Sequence, residues 1–200
     1  MTRPRGRPRK FDPDQALNAA MEVFWIKGLA QTSLDDLCAA TGMNRPSIYN
    51  AFGDKEALYR LALERFCGAL DQGLTDTLLA EPDLRRGLHG FFAAALDVYY
   101  SSDPPRGCMV MCTAPVEALV HEDVRKDLRQ VLQRIDAVLE QRLNQARKEG
   151  QMPDGCDCRL AARLTQALLH SVALRARAGE SKRAVQKLIT YGIDRILTAA

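Results

Sequence analysis

The sequence predicts an all-α protein, and three observations carry that expectation. Apolar residues recur at three- and four-residue spacing, as in Leu17, Ala20, Met21 and Phe24, and strand-like alternation is absent. Cap residues stand at the heads of these segments. Glycine and proline fall almost wholly between them. A chain of 200 residues, 46% hydrophobic and 26% charged, can bury a sizeable core in one domain or two small ones. No stretch approaches the roughly 18–20 unbroken apolar residues of a membrane span. The opening "MTRPRGRPRK" lacks the apolar run of a secretory signal. The expectation is a cytoplasmic chain with no membrane partner.

The elements follow in order. "FDPDQALNAAMEVFWIKG" opens with Asp12 as cap, Pro13 at the first helical position and Gln15 placed to reach back, and Gly28 stops it. "TSLDDLCAATG" begins a second helix, with Ser33 as cap, Asp36 completing a capping box and Gly42 ending it after two turns. Asn44 caps a third short helix, and Asp54 a longer fourth, "KEALYRLALERFCGAL". Longer helices are expected across 83–101, 107–119, 122–149, 157–178 and 181–198. The shift from short to long helices near residues 50–60 predicts a basic arm over 1–10, a small domain over 11–56 and a larger one over 57–200.

Two short helices joined by a tight glycine-containing turn make a helix-turn-helix candidate. Leu34 and Leu37 supply the first helix's apolar face, and Cys38 is small enough for a close crossing. Gly42 can take the positive φ of the turn, and Met43 turns inward after it. Ile48 and Phe52 form the buried side of the second helix, leaving Arg45, Ser47, Tyr49 and Asn50 outside. Those four suit a DNA major groove. Arg45 can offer a donor fork to guanine and Asn50 can pair with adenine. Ser47 and the Tyr49 hydroxyl suit phosphate. Lys55, Thr32 and Ser33 stand at helix N-termini, where free N–H groups attract a phosphate.

Charge points to the same partner. Arg3, Arg5, Arg7, Arg9 and Lys10 give the first ten residues +5 of a net +3, leaving −2 for the rest (3 − 5). With no amphipathic apolar face beside it, such an arm favours nucleic acid over membrane.

The stretch "TSLDDLCAATGMNRPSIYNAFGDKEALY" resembles the DNA-binding region of the tetracycline-repressor (TetR) family of bacterial transcription regulators. The likeness covers residues 11–60 and includes Gly42–Met43, Ser47-Ile48-Tyr49 and Phe52 followed by Lys55-Glu56-Ala57-Leu58. "RGCMVMCTAPVEA" and "ALLHSVALRARAG" look like the ligand-binding domain of one cytoplasmic subgroup. The resemblance implies that Thr32, Arg45, Ser47, Tyr49 and Lys55 touch DNA, with Tyr49 on the backbone. Pro46 stands where members often have glycine. The resemblance also implies a homodimer that binds a palindromic double-stranded operator and releases it when a small-molecule effector binds.

In the last two helices, Leu160, Leu164, Leu168 and Val172 form one stripe, while Val185, Leu188, Ile189, Ile193 and Ile196 form another. They could build a four-helix interface between two chains or pack inside one. Phe66, Phe91, Phe92, Tyr99, Met109, Met111, His121 and His170 are the apolar or amphipathic candidates for a ligand cavity. Cys108 and Cys112 lie four apart, and Cys156 and Cys158 flank Asp157 near a helix start, where a thiol's pKa falls. Neither pair has the four-ligand spacing of structural zinc. A thiol- or soft-metal-handling redox protein, or a regulator sensing oxidants or metal through these cysteines, is the alternative. No nucleophile elbow or phosphate-cradling glycine loop is present, so neither catalysis nor a cofactor is expected.

Overall fold

The computed structural model describes residues 12–198. The basic arm, with Arg3, Arg5, Arg7, Arg9 and Lys10, lies outside the described residues. Nine helices are found within them: α1 Pro13–Lys27, α2 Leu34–Thr41, α3 Arg45–Phe52, α4 Lys55–Ala80, α5 Leu84–Tyr99, α6 Met109–Glu117, α7 Glu122–Lys148, α8 Cys158–Arg177 and α9 Lys182–Thr198. The chain divides into two compact units between Leu63 and Glu64, inside α4.

In the first unit the caps set the lengths. Asp12 accepts from the Asp14 amide at 2.9 Å, so this cap closes two residues on. Ser33 and Asp36 form the reciprocal box expected of them: the Asp36 amide donates to Ser33 Oγ and the Ser33 amide to Asp36 Oδ2, both at 3.0 Å. Gly42 ends α2 at φ 67°, the left-handed conformation that turns the chain into α3. Asn44 accepts from the Ser47 amide and Asp54 from the Ala57 amide. Leu37 and Ile48 are fully buried, with Met43 beside them, and Phe24 meets Tyr59 edge to face at 5.2 Å between ring centres. Leu34, Cys38 and Phe52 are only half-buried. The core of this small unit therefore takes one residue from each short helix and is completed by α1, whose Trp25 is also buried, and by Leu58, Tyr59 and Ala62 of α4.

The fourth helix runs ten residues beyond the expected end at residue 70. Leu70, Leu74 and Leu78 continue a four-residue stripe and are buried. Gly68 and Gly73 have nothing near where a Cβ would stand, so they interrupt the composition without interrupting the packing. In the second unit α7 packs on α8, α8 on α9, α5 on α8 and α9, and α6 on α7 and α8. The α4–α5 turn is clamped from a distance. Buried Arg142 donates to the Glu81 and Pro82 carbonyls at 3.1 and 2.8 Å. Gln151 accepts from the Leu84 amide at 2.7 Å and donates to Pro82 O at 2.9 Å. The α5–α6 segment is tied likewise: the Arg106 and Gly107 amides donate to Tyr99 O, and Arg177 donates to Arg106 O.

Candidate nucleic-acid interface and regulatory cavity

α3 is eight residues long because Asn44 opens it and Gly53, at φ 83°, closes it. Its buried side is Ile48. Arg45, Tyr49 and Asn50 are exposed and Ser47 half-exposed, so all four expected contact residues are accessible to solvent. Tyr49 keeps 48% of its surface in solvent, which leaves its ring and hydroxyl free to meet a partner. Pro46 sits in the first turn, where its missing N–H costs no helical bond. Arg45 is not isolated: its Nε and Nη2 donate to Asp35 Oδ1 of α2 at 3.2 and 2.7 Å.

Two expected contacts are placed differently. Thr32 is 1% exposed, and its hydroxyl donates to the Gly28 carbonyl at 2.5 Å. That hydroxyl closes the α1–α2 turn, which removes it from the accessible face; Ser33 beside it is exposed. Lys55 is half-buried, and its Nζ donates to the Leu29 and Thr32 carbonyls at 2.9 Å each. Its charge sits at the head of α4, yet two of its three donors hold the α1–α2 turn. Sequence reasoning also passed over Lys27, which donates to Asp36 at 2.7 Å and helps hold that carboxyl down to about 2.

In the second unit one enclosed cavity gathers Phe66, Tyr99, Met111 and His170 from the expected set. Cys67, Leu70, Cys108, Val110, Val131, Ile135 and Leu169 complete it. Phe92 and Met109 are buried elsewhere in the core, and His121 stands at the α6–α7 turn, 3.9 Å from Glu117, so these three do not line the cavity. Phe91, stacked edge to face on Phe92 at 5.4 Å, is likewise core. The space inside is about 20 Å³. That is room for one water and far below the roughly 300 Å³ of a small-molecule pocket. A ligand must part the helices to enter. Burial holds the His170 imidazole below its ordinary value, with Asp136 opposing, so it is neutral at neutral pH. Burial likewise pushes the Tyr99 hydroxyl up.

Cys108, Cys156 and Cys158 are buried and Cys112 is half-buried. Desolvation pushes Cys108 up to about 12. Cys112 is also raised by burial, against the pull of Arg177. Cys156 is raised by burial and then by Cys158, where the helix start was expected to lower it. Among the described residues no group of three or more His, Cys, Asp or Glu converges as a metal site would.

The two terminal stripes part company. Val172, Ile189, Ile193 and Ile196 are buried within the chain, so they are core and not surface. Leu160 and Leu164 are more than half exposed, and Leu168 and Leu188 are partly so. Tyr191, Gly192 and Arg195 of α9 join Leu164 and Leu168 along one groove, with the Arg195 guanidinium over the Tyr191 ring at 5.1 Å. α9 lies close to α8 here because a Cβ on Gly192 would stand 2.5 Å from Leu168 Cδ2.

Comparison with known proteins identifies the family. Residues 16–62 match the family described as "Bacterial regulatory proteins, tetR family", and residues 84–191 match "Tetracyclin repressor-like, C-terminal domain". The HTH-type transcriptional repressor ComR of Escherichia coli (strain K12) is 32% identical over 178 residues, 88% of this chain and 85% of the relative. The HTH-type transcriptional repressor BdcR of the same strain is 34% identical over 106 residues, 53% of this chain and 54% of the relative. A cysteine mutant of the TetR family regulator CifR, complexed with 26bp double-strand operator DNA, superposes with a TM-score of 0.85 at 28% identity, covering 94% of this chain and 98% of that one. The helix-turn-helix unit and the larger helical unit that follows it in sequence are thus each matched, and the chain belongs to the TetR family of bacterial transcription regulators.

Proposed function

We propose that this protein is a one-component, ligand-responsive transcriptional repressor that binds a palindromic operator as a homodimer. The unit around α2 and α3 reads DNA, and the larger unit binds the effector and the second copy. The observation that carries the reading is the exposure of Arg45, Ser47, Tyr49 and Asn50 on α3, a short helix anchored by buried Ile48 beside buried Leu37 of α2. Arg45 and Asn50 address base edges, and Ser47 and Tyr49 address phosphates. Repression is supported by the name of the relative ComR and operator binding by the complex that CifR forms. The exposed face of Leu160, Leu164, Leu168 and Tyr191 is the surface assigned to the second copy.

Release follows from the small cavity. An effector enlarges the space beside Phe66, Cys67 and Leu70, all on α4. α4 is unbroken from Lys55 to Ala80, so a shift of that segment is carried to its first turn, where Lys55 holds the α1–α2 turn. Half-sites on DNA are read about one helical turn apart, and a few ångströms of mismatch weaken simultaneous binding. An effector preferring the mismatched state by about 3 kcal/mol shifts occupancy about a hundredfold. The test is fluorescence anisotropy with DNA from just upstream of the protein's own coding sequence, against a scrambled duplex, at two salt concentrations. Salt-sensitive binding selective for the natural sequence is expected. Equal binding to both, repeated across a pool of genomic fragments, would overturn the reading.

A second reading is favoured by one observation: Cys67 and Cys108 line the same cavity, with Cys112 one turn beyond Cys108. Oxidation or soft-metal capture there would enlarge or distort it. Replacing Cys108 and Cys112 with serine then abolishes release by oxidant or copper and leaves DNA binding intact.

A further inference from the structure

The exposed arginine of α3 is held by a partner on α2. Asp35 is the second residue of α2 and Arg45 the first of α3, so their contact bridges the turn between the two helices. The Nε and Nη2 groups of Arg45 both donate to Asp35 Oδ1, at 3.2 and 2.7 Å. The two side chains keep 56% and 76% of their surface in water. An exposed pair of this kind is screened and adds little to stability. Its consequence is geometric.

A guanidinium carries five N–H donors in a rigid fork. The Asp35 contact uses the edge made by Nε and one hydrogen of Nη2. The parallel pair at the end, one hydrogen on Nη1 and one on Nη2, remains to donate, and that pair matches O6 and N7 of guanine in the major groove. The carboxylate has a second effect, because its negative charge repels phosphate. An arginine beside it is discouraged from the sequence-neutral backbone contact that a loose arginine makes.

We propose that Asp35 is a specificity-determining positioning residue that aims the Arg45 guanidinium end-on at a guanine and keeps it off the phosphate backbone. The proposal rests on the reading that α3 enters a major groove. Ordinary stabilisation of α2 does not account for the contact, since the capping box there is already complete through Ser33 and Asp36.

The test uses the full chain and a duplex recovered with it from a randomised pool, remade with every base at each position. Asp35→Asn keeps the size and removes the charge. In this variant the guanine preference at one position per half-site should fall from about tenfold or more toward parity. Affinity for a scrambled duplex should rise, and the salt slope should steepen by about one phosphate contact. Other positions keep their preferences and the melting temperature is unchanged. Arg45→Ala loses the same guanine preference without the gain on scrambled DNA. A guanine preference unchanged in Asp35→Asn overturns the assignment alone. So does a uniform weakening at all positions together with a lower melting temperature. If the wild-type chain recovers no motif, the reading of α3 falls and the assignment falls with it.

Discussion

Lys55 ties the α1–α2 turn to the head of α4. Its ammonium satisfies two carbonyls of the α1–α2 turn, at Leu29 and Thr32, while half-buried. Lys55→Met leaves both acceptors short of a charged donor, and the loss expected is about 1–3 kcal/mol in a urea titration of the helix-turn-helix unit. A lysine that only touched phosphate would leave stability unchanged and lower the salt slope by about one. Asp36 gives a pH prediction. Its carboxyl is held down from 3.8 to about 2, first by the Lys27 ammonium and then by the Ser33 amide and hydroxyl. The fold favours the ionised form, so this contribution is complete above pH 3.8 and is lost as pH falls through 2. Asp36→Asn should lack that part of the acid dependence, read as the difference between the two denaturation series. The capping role of Ser33, Asp36 and Asn44 was legible because a cap acts on amides two or three residues away, within the reach of sequence spacing. The burial of Thr32 was not legible. Its partner Gly28 is four residues back across a turn whose shape depends on Lys55, far down the chain.

At the scale of the element, the α5–α6 segment depends on one glycine. Gly107 takes φ 66°, and a Cβ there would stand 2.3 Å from the Ala173 carbonyl oxygen of α8. Gly107→Ala therefore meets backbone as well as conformational strain, and we expect about 2–4 kcal/mol of lost stability. Gly150→Ala is the control: φ is 74° but nothing lies within 4 Å of the added carbon. It should cost only about 1–2 kcal/mol in the same thermal denaturation series. The starts of α5 and α8 were readable because Asp83 and Asp157 cap them locally. The end of α4 was not: the expected helix closed at Leu70, and Gly73 just beyond it is harmless because no neighbour approaches. What carries the helix on is the burial of Leu74 and Leu78, a property of the partner helices and not of this segment. The cavity shows the same limit. Val131 and Ile135 lie on the charge-rich α7, and only its packing on α6 and α8 turns them toward Tyr99 and His170.

For the whole molecule, the terminal helices decide between one chain and two. Both apolar stripes were visible in sequence, yet spacing alone could not say which faces a neighbour within the chain. Val172, Ile189, Ile193 and Ile196 are occupied internally, and Leu164 with Tyr191 is left to solvent. Leu164→Lys should therefore leave folding intact and convert the protein to monomers in light scattering, with operator affinity falling as one of two heads is lost. An unchanged oligomeric state would place the interface elsewhere. The claim on which everything else turns is that α3 reads bases in a two-fold assembly. It is tested most directly by incubating the full chain with randomised duplexes and sequencing what is retained. The expected result is a palindromic motif with half-site centres about one helical turn apart, lost when Arg45 and Asn50 are changed to alanine in a protein that still folds. Retention of no motif, or of a motif that those two substitutions leave unchanged, would contradict it.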